Sequence, residues 1–372
     1  MIVTILNIQR LKNYIFFFSL LFISSFAQEK KYQSLLWEVS GNGLEKKSYI
    51  YGTMHVSDKV SYHLSDAFYT HLLNADIIAN ESEPRTWTEL FDMFSFYSKY
   101  ANNNAFYTNF YLTPIEKDEL YTLFKSTNYN LIGLLSRTNE TNKEYQEDTY
   151  LDMFIYRTGR KYNKKTIGLE DVKTSTINIM KAEAEIDNSE VEKNYQTILK
   201  ILKNKPYNEA LVDFYREKDL DMIDSLTVLA TPKSYLKALL FDRNIDMVNN
   251  MEISMKEGSL FSAIGAAHLP GKKGVIEMLR RRGYKVTPIY DNYTEKGKSL
   301  KKKIEDYFIK PEIKLKTTAD GMVTFPVFDV VLETGENIES PDLANGGYIN
   351  LKRTYLNDFL ETQQQVLVKI QD

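Results

Sequence analysis

The sequence predicts a mixed α/β fold: a central sheet with two similar half-units, a largely helical insertion between them and a small C-terminal appendage. The first observation is a unit that occurs twice, in which an apolar strand, a Gly-x-x-His motif, a loop, a helix and a second strand follow one another. The second is a series of helix-start signals between the two copies. The third is a change after about residue 295, where Val- and Phe-rich segments and paired glycines predict short strands and turns.

The first unit begins with an apolar strand over residues 48–51 and continues into a Gly-Thr-Met-His motif that ends at His55. A helix with a serine N-cap is predicted over residues 65–74, because a serine hydroxyl accepts from a free backbone N–H of the first turn. An apolar strand over residues 77–79 completes the unit. Glu81 follows directly after this strand.

The second unit repeats this order with a strand over residues 260–264 and a Gly-Ala-Ala-His motif that ends at His268. A helix over residues 274–282 and a strand over residues 285–289 follow. Each histidine is thus expected where a strand ends, and ligands of open α/β sheets bind beyond the carboxyl ends of the strands. The motif glycine permits a tight turn or the close approach of another group.

The stretch between the two units is predicted to be mostly helical. Helix starts are indicated at Thr113, Ser189 and Thr231, where a capping residue is followed by Pro or, three positions later, by Glu. One strand over residues 165–169 interrupts the helices. Glu170 follows this strand, as Glu81 follows the earlier one.

The C-terminal part is predicted to be a small appended region of unknown role. Its patterns indicate a strand over residues 323–332, a turn at Gly346 and Gly347, and a helix from Tyr355. The predicted organisation has three parts: a signal peptide over residues 1–27, one domain over residues 28–295 and an extension over residues 296–372.

The first residues have the form of an export signal. Arg10 and Lys12 precede an apolar run over residues 15–23, and small residues predict cleavage after Ala27. We therefore expect an exported protein, periplasmic or secreted, and no stable membrane span after cleavage, because no later segment reaches about 20 apolar residues. The absence of cysteine excludes disulfides and thiolate catalysis. With a net charge of −3 and no basic patch, no nucleic-acid partner is expected.

Two histidines hold a metal ion only if acidic side chains join them. Glu81 and Glu170 are the candidates, because each follows a strand that ends at the predicted sheet edge. Two histidines with one or two carboxylates suit a divalent ion such as Mn, Co, Zn or Fe with an open position for water. Such an ion lowers the pKa of water, and Glu81 or Glu170 would take the proton. The structural alternatives are a histidine that only binds a nearby carbonyl and a glutamate that only caps a helix.

Four ordered motifs carry a family resemblance: residues 51–55 (YGTMH), Glu81, residues 168–170 (GLE) and residues 264–271 (IGAAHLPG). Together they resemble the TraB/GumN family, which includes the Tiki proteins, over roughly residues 35–292. The resemblance implies a mixed α/β fold, a site built on the two Gly-x-x-His motifs with an acidic residue, and the metal-dependent peptidase activity of Tiki members. Arg243 also matches a family feature, and it is expected to orient a substrate carboxylate or carbonyl.

The leading hypothesis is a metal-dependent hydrolase that acts on a peptide or protein substrate. Two alternatives stay open. One is a non-catalytic protein that binds or sequesters a peptide, a metal or haem in the same pocket, and the other is metal-free, esterase-like hydrolysis with His55 or His268 as the base. The remaining histidines, His63 and His71, are expected to have surface or packing roles.

Overall fold

A six-stranded mixed sheet forms the centre of the protein. The computed structural model describes residues 30–55, 59–90, 147, 149–290, 292–334 and 337–352. The strands of this sheet are β1 (Leu36–Ser40), β2 (Ser48–Thr53), β3 (Ile77–Asn80), β4 (Lys165–Gly168), β5 (Leu260–Gly265) and β6 (Lys285–Ile289). Their order is β4-β3-β5-β2-β1-β6. The first four in this order are parallel, whereas β1 pairs antiparallel with both β2 and β6.

Ten α-helices occur in the described part of the chain. They are α1 (Asp66–Asn74), α2 (Leu151–Lys161), α3 (Val172–Ala184), α4 (Ser189–Leu202), α5 (Tyr207–Arg216), α6 (Leu220–Ala230), α7 (Lys233–Leu236), α8 (Asp242–Glu257), α9 (Val275–Arg281) and α10 (Glu295–Asp306). A π-helix (Lys237–Phe241) joins α7 to α8, and 3-10 helices span Pro84–Trp87 and Ala266–His268. The predicted mixed α/β class is confirmed, and the described residues between β3 and β5 are mostly helical, as expected.

Both predicted half-units are present, as β2-α1-β3 and β5-α9-β6. The N-cap of α1 is Ser65, whose side chain accepts from the backbone N–H of Phe68. Phe68 is fully buried and packs edge-on against Phe261 of β5, with 5.4 Å between the ring centres. Because burial of such a side chain contributes about 1.5–3 kcal/mol, this contact holds α1 on the sheet.

The structure differs from the sequence-based prediction at two places. Strand β1 was not predicted, and it forms a hairpin with β2 in which Trp37 pairs with Ile50. At α4 the predicted capping box is wrong: Asn188 is the N-cap, and the Ser189 hydroxyl donates to Asp187 at 3.0 Å instead. Ser189 is the first residue of the helix, and its hydroxyl donates to the Asp187 carboxylate and does not cap a backbone N–H of the first turn.

The C-terminal part begins with α10, which packs on α1. Beyond it, β7 (Lys314–Thr317) pairs with β8 (Thr324–Val327), and β9 (Leu332–Thr334), β10 (Asn337–Pro341) and β11 (Tyr348–Lys352) form an antiparallel sheet. The strand predicted over residues 323–332 is therefore two strands, because the Ser340 hydroxyl binds the backbone of Phe328 and Val330 between them.

A turn lies at Gly346 and Gly347, as predicted, and Gly346 has a φ of 88°. The domain boundary at residue 295 stays a prediction. The expected signal peptide and the helices expected at Thr113 and from Tyr355 lie outside the described residues. Within the described ranges, none of the helices combines the length and the apolar character needed to cross a membrane.

Candidate functional site

The two Gly-x-x-His motifs lie side by side because β2 and β5 are parallel neighbours. In their register Thr53 pairs with Gly265, so the two chains leave the sheet at the same edge. His55 follows β2 after one intervening residue, and His268 ends the 3-10 helix that follows β5. The repeated motif therefore brings both histidines to the carboxyl ends of parallel strands.

Both motif glycines are required by close approach. At Gly52 a β-carbon would lie 3.2 Å from Ala266 Cα of the other motif. At Gly265 it would lie 3.0 Å from Glu81 Oε1 and 3.2 Å from His55 Nε2. Neither glycine has a positive φ, so the expected tight turn is not the reason for them. The side chains of Glu81 and His55 occupy the space that a larger residue at Gly265 would need.

His55 is oriented by a carboxylate. Its Nδ1 lies 3.0 Å from Asp152 Oδ2, and Asp152 Oδ1 accepts from the Thr53 hydroxyl at 2.7 Å. Because a carboxylate only accepts hydrogen bonds, Nδ1 carries a proton and Nε2 faces Glu81. Burial alone would lower the pKa of His55, but Asp152 and Glu81 outweigh burial and raise it to about 10. Without a metal ion, His55 is therefore a cation at neutral pH.

His268 is oriented by an amide. Asn244 Nδ2 donates to the Lys273 carbonyl at 2.8 Å, so Asn244 Oδ1 faces His268 and accepts from its Nδ1 at 2.6 Å. Burial lowers the pKa of His268 to about 3, and the charges of Arg243 and His55 act in the same direction. His268 is thus a neutral imidazole whose Nε2 lone pair is free for a ligand.

Glu81 is the point on which the two histidines converge. Its Oε1 lies 3.6 Å from His55 Nε2 and 3.6 Å from His268 Nε2. The same oxygen accepts from the Gly265 backbone N–H at 2.6 Å. Its Oε2 accepts from Arg243 Nη2 at 2.5 Å. Two imidazole nitrogens and one carboxylate oxygen therefore point into one small space.

Arg243 links Glu81 to Glu170. Its Nη2 also donates to Glu170 Oε1 at 2.6 Å, and its Nε donates to Glu170 Oε2 at 2.9 Å. Burial alone would raise the pKa of Glu81, but the charges of Arg243 and of the histidines hold it well below its ordinary value. Burial and the neighbouring Glu81 raise the pKa of Glu170 despite Arg243. Both carboxylates accept hydrogen bonds from the same guanidinium, although their pKa values are shifted in opposite directions.

A cavity of about 460 Å³ opens beside this cluster. His55, Glu81, Arg243 and His268 line one part of it. The remaining lining is mostly apolar and aromatic, and it includes Leu211, Tyr215, Ile223, Tyr235, Leu239 and Leu240 from the helical insertion. A largely apolar cavity with a few convergent polar groups is the usual form of a ligand site.

Three of the five predicted site residues come together at the histidine cluster. His55, His268 and Glu81 converge, whereas Glu170 directs both oxygens at Arg243 and Ser175. The guanidinium lies between Glu170 and Glu81, so the structure does not place the second predicted acidic ligand at the histidines. In the ranges that the structure describes, no group of three or more His, Cys, Asp or Glu side chains is arranged so that it could hold a metal ion as it stands.

Sequence reasoning missed two residues that orient the histidines. Asp152 lies in the first turn of α2, far from both motifs in the sequence, and no local pattern marks it. Asn244 carried a signal, because it is next to Arg243 in the segment that matches the family feature. His63 and His71 lie outside the cluster and stack on Tyr293 and Tyr49, respectively, which agrees with their expected packing roles.

The fold and the site together define a mixed α/β protein with a cluster of two histidines and one glutamate at the carboxyl edge of its parallel strands. The chain belongs to the TraB/PrgY/gumN family, because the model of this family matches residues 35–288. The resemblance predicted from the four ordered motifs is thereby confirmed. A search among curated proteins found no match to this chain.

Proposed function

We propose that this protein is a metal-dependent hydrolase that cleaves peptides. The observation that carries the proposal is the convergence of His55 Nε2 and His268 Nε2 on the same Glu81 oxygen, at 3.6 Å each. In a tetrahedral site with bonds near 2.1 Å, donor atoms lie about 3.4 Å apart. The two observed distances are slightly longer than this value, so the proposal is that these three side chains close around a divalent ion such as Mn, Co, Zn or Fe when it binds.

The hydrogen bonds behind the donor atoms support this proposal. Histidine ligands of metal ions typically donate their other ring N–H to a carboxylate or carbonyl, which fixes the ring and its tautomer. Asp152 provides such an acceptor for His55, and Asn244 provides one for His268. Gly265 contributes the absence of a side chain, because a β-carbon there would occupy the space between Glu81 Oε1 and His55 Nε2.

We assign different roles to the two predicted acidic residues. Glu81 is the donor to the ion and the carboxylate that accepts a proton from water, because only Glu81 of the two is brought to the histidines. Glu170 is a positioning residue that acts through Arg243. Arg243 holds Glu81 Oε2 at 2.5 Å and keeps Glu81 ionised, so we assign to it the orientation of Glu81 in place of the substrate-orienting role expected from the sequence.

A bound divalent ion would supply Lewis-acid chemistry, polarising a peptide carbonyl and lowering the pKa of water. The protein's own residues bind the substrate, exclude water and transfer the proton. The apolar wall of the cavity binds side chains of the substrate and excludes bulk water, which strengthens the electrostatic interactions inside. Water adds to the peptide carbonyl carbon and gives its proton to Glu81, which passes it to the amine nitrogen as the C–N bond breaks. Glu81 thereby returns to the carboxylate form, which Arg243 stabilises.

The test compares metal binding and peptide cleavage by the purified mature protein. After treatment with a chelator, Mn, Co or Zn is titrated by calorimetry, and cleavage of a mixed peptide library is followed by mass spectrometry. We expect His55→Ala and His268→Ala to weaken metal binding by more than about 100-fold and to abolish cleavage. The control is His71→Ala, which removes a histidine that stacks on Tyr49 outside the site.

Other outcomes would point to the two alternative functions. Peptides that bind but stay intact with every metal would indicate a sequestering protein. Cleavage that persists in the presence of a chelator, and that is lost in His55→Ala or His268→Ala, would indicate metal-free hydrolysis. We also propose that the protein acts after export, and N-terminal sequencing of the mature protein is expected to begin at Gln28.

A further inference from the structure

Glu183 is a charged side chain in the cavity wall that the proposed hydrolytic centre does not use. It lies in the last turn of α3 and lines the same cavity as the two histidines. Its Oε2 is buried and has no hydrogen-bond partner among the residues that the structure describes. Burial raises the pKa of this carboxyl group. A buried carboxylate oxygen without a donor is unfavourable for folding, so stability alone does not explain the residue at this position.

The position of Glu183 separates it from the histidine cluster. Helix α3 starts beside Glu170, because Ser175 in its first turn donates to Glu170 at 2.8 Å. Glu183 lies eight residues further along the helix, on the order of 12 Å at 1.5 Å per residue. Apart from the cluster itself, Glu183 is the charged residue among those that line the cavity in the described part of the chain.

We propose that Glu183 determines specificity by binding a cationic nitrogen, an ammonium or guanidinium group, of a peptide held in the cavity. This inference rests on the proposed function and names its substrate class. The carboxylate complements a positive charge in a mostly apolar wall, and a charge-assisted hydrogen bond would give the buried Oε2 the donor it lacks. Arg243 also lines the cavity, but this buried cation cannot serve as the partner of Glu183, because it is already paired with Glu81 and Glu170.

Glu183 lines the same cavity as the histidines but lies outside their cluster. A peptide bound in this cavity would therefore place one particular residue at Glu183. A preference for one position, rather than for positive charge anywhere in a peptide, is the signature of such a subsite.

The experiment measures binding without turnover. N-acetylated alanine hexapeptides with a fluorescent label carry lysine at each position in turn, and each is compared with the same peptide carrying norleucine. Fluorescence anisotropy with the mature protein in chelator gives the dissociation constants. We expect lysine to bind about tenfold more tightly than norleucine at one or two positions. A norleucine peptide with a free amino terminus distinguishes recognition of a terminal ammonium from recognition of a side chain.

Variants connect this preference to Glu183. Glu183→Gln, which keeps the shape and removes the charge, should reduce the lysine preference to about onefold. Glu183→Lys should reverse the preference toward peptides with glutamate at the same position. The matched control is Glu185→Gln, an exposed glutamate beyond the end of the helix, which should keep the lysine preference. Urea unfolding of Glu183→Gln should occur at an equal or higher midpoint than for the wild type, because no partner is lost.

The outcomes separate this inference from the proposed function. Equal binding of lysine and norleucine at every position, a lysine preference that survives in Glu183→Gln, or no binding of either peptide would overturn the inference. A preference that depends on Glu183, in a protein that cleaves no peptide with any metal, would refute the hydrolase and leave the cationic subsite. Cleavage without any lysine preference would refute the subsite and leave the hydrolase.

Discussion

Arg243→Met tests how far the buried charge cluster depends on a single cation. The side chains of Arg243 and Glu81 are each 7% exposed, and that of Glu170 is 1% exposed. Methionine fills much of the same space without charge, so both glutamates would lose the partner that they share. Removal of one partner from a buried ion pair costs about 3–5 kcal/mol, because the other charge stays buried without compensation.

The loss of unfolding free energy in Arg243→Met can also be worked out from the pKa of Glu170, which has no cationic partner in the variant. Without the guanidinium, Glu170 folds only in its protonated form. Protonation of a glutamate with an ordinary pKa near 4.3 costs about 3.7 kcal/mol at pH 7 and about 1 kcal/mol at pH 5. The folded-state pKa in the variant lies above the unfolded value, so the penalty is largest at neutral pH and shrinks as the pH falls toward the unfolded pKa. The two routes agree on a loss of about 3–4 kcal/mol at pH 7.

Urea unfolding of the metal-free mature protein, followed by far-UV circular dichroism at pH 7 and pH 5, measures this loss. Adding Glu170→Gln to Arg243→Met should recover about 2 kcal/mol, because the amide needs no counter-ion. The control is Arg282→Met, which breaks the partly exposed ion pair with Glu252 and should cost less than about 1 kcal/mol. A loss below about 1 kcal/mol for Arg243→Met at pH 7, or equal losses at both pH values, would refute the reasoning.

Two further predictions concern the site and the docking of α10. Gly265→Ala places a methyl group 3.0 Å from Glu81 Oε1. Calorimetry should therefore show a metal affinity reduced at least about tenfold, while the free energy of unfolding changes by only about 1 kcal/mol. An unchanged metal affinity would contradict the proposed ligand set. The Asp66 carboxylate accepts from the Thr294 hydroxyl and from the backbone N–H of Thr294 and Gly297, and these bonds lower its pKa. Its contribution is present in full above the ordinary pKa near 3.8 and is lost as the pH falls through the lowered pKa of the folded state. The difference between the urea midpoints of Asp66→Asn and wild type should therefore be largest at pH 6 and should shrink as the pH falls below 3.8.

The elements that carry the site could be predicted because their signals are local. Apolar runs bounded by glycine marked β2 and β5, and the repeated motif marked His55 and His268. Strand β1 was missed although Gly41-Asn42-Gly43, with φ values of 80°, 49° and 80°, separates it from β2. Glycine and asparagine between two apolar runs are a hairpin signal, so the information was present in the sequence.

The partners of the histidines could not be predicted in the same way. Asp152 reaches His55 only because α2 packs against the sheet, and nothing in the sequence around residue 152 encodes that contact. Glu170 binds Arg243 and not the histidines because the Arg243 side chain, from the first turn of α8, lies between the two glutamates and donates to both. The sequence does not reveal this placement. A carboxylate at the end of a strand can face the ligand or face a neighbouring cation, and only tertiary packing decides between them.

The two motifs are alike in sequence but not in chemistry. The Nδ1 of His55 binds the carboxylate of Asp152, whereas the Nδ1 of His268 binds the amide oxygen of Asn244. The pKa of His55 is consequently raised to about 10, whereas burial, unopposed by a carboxylate partner on Nδ1, lowers that of His268 to about 3. One imidazole thus forms an ion pair with Glu81 in the metal-free protein, and the other offers a lone pair to the same space. The repeat sets the positions of the histidines, while residues outside the repeat set their charge, so the two half-sites are not chemically equivalent.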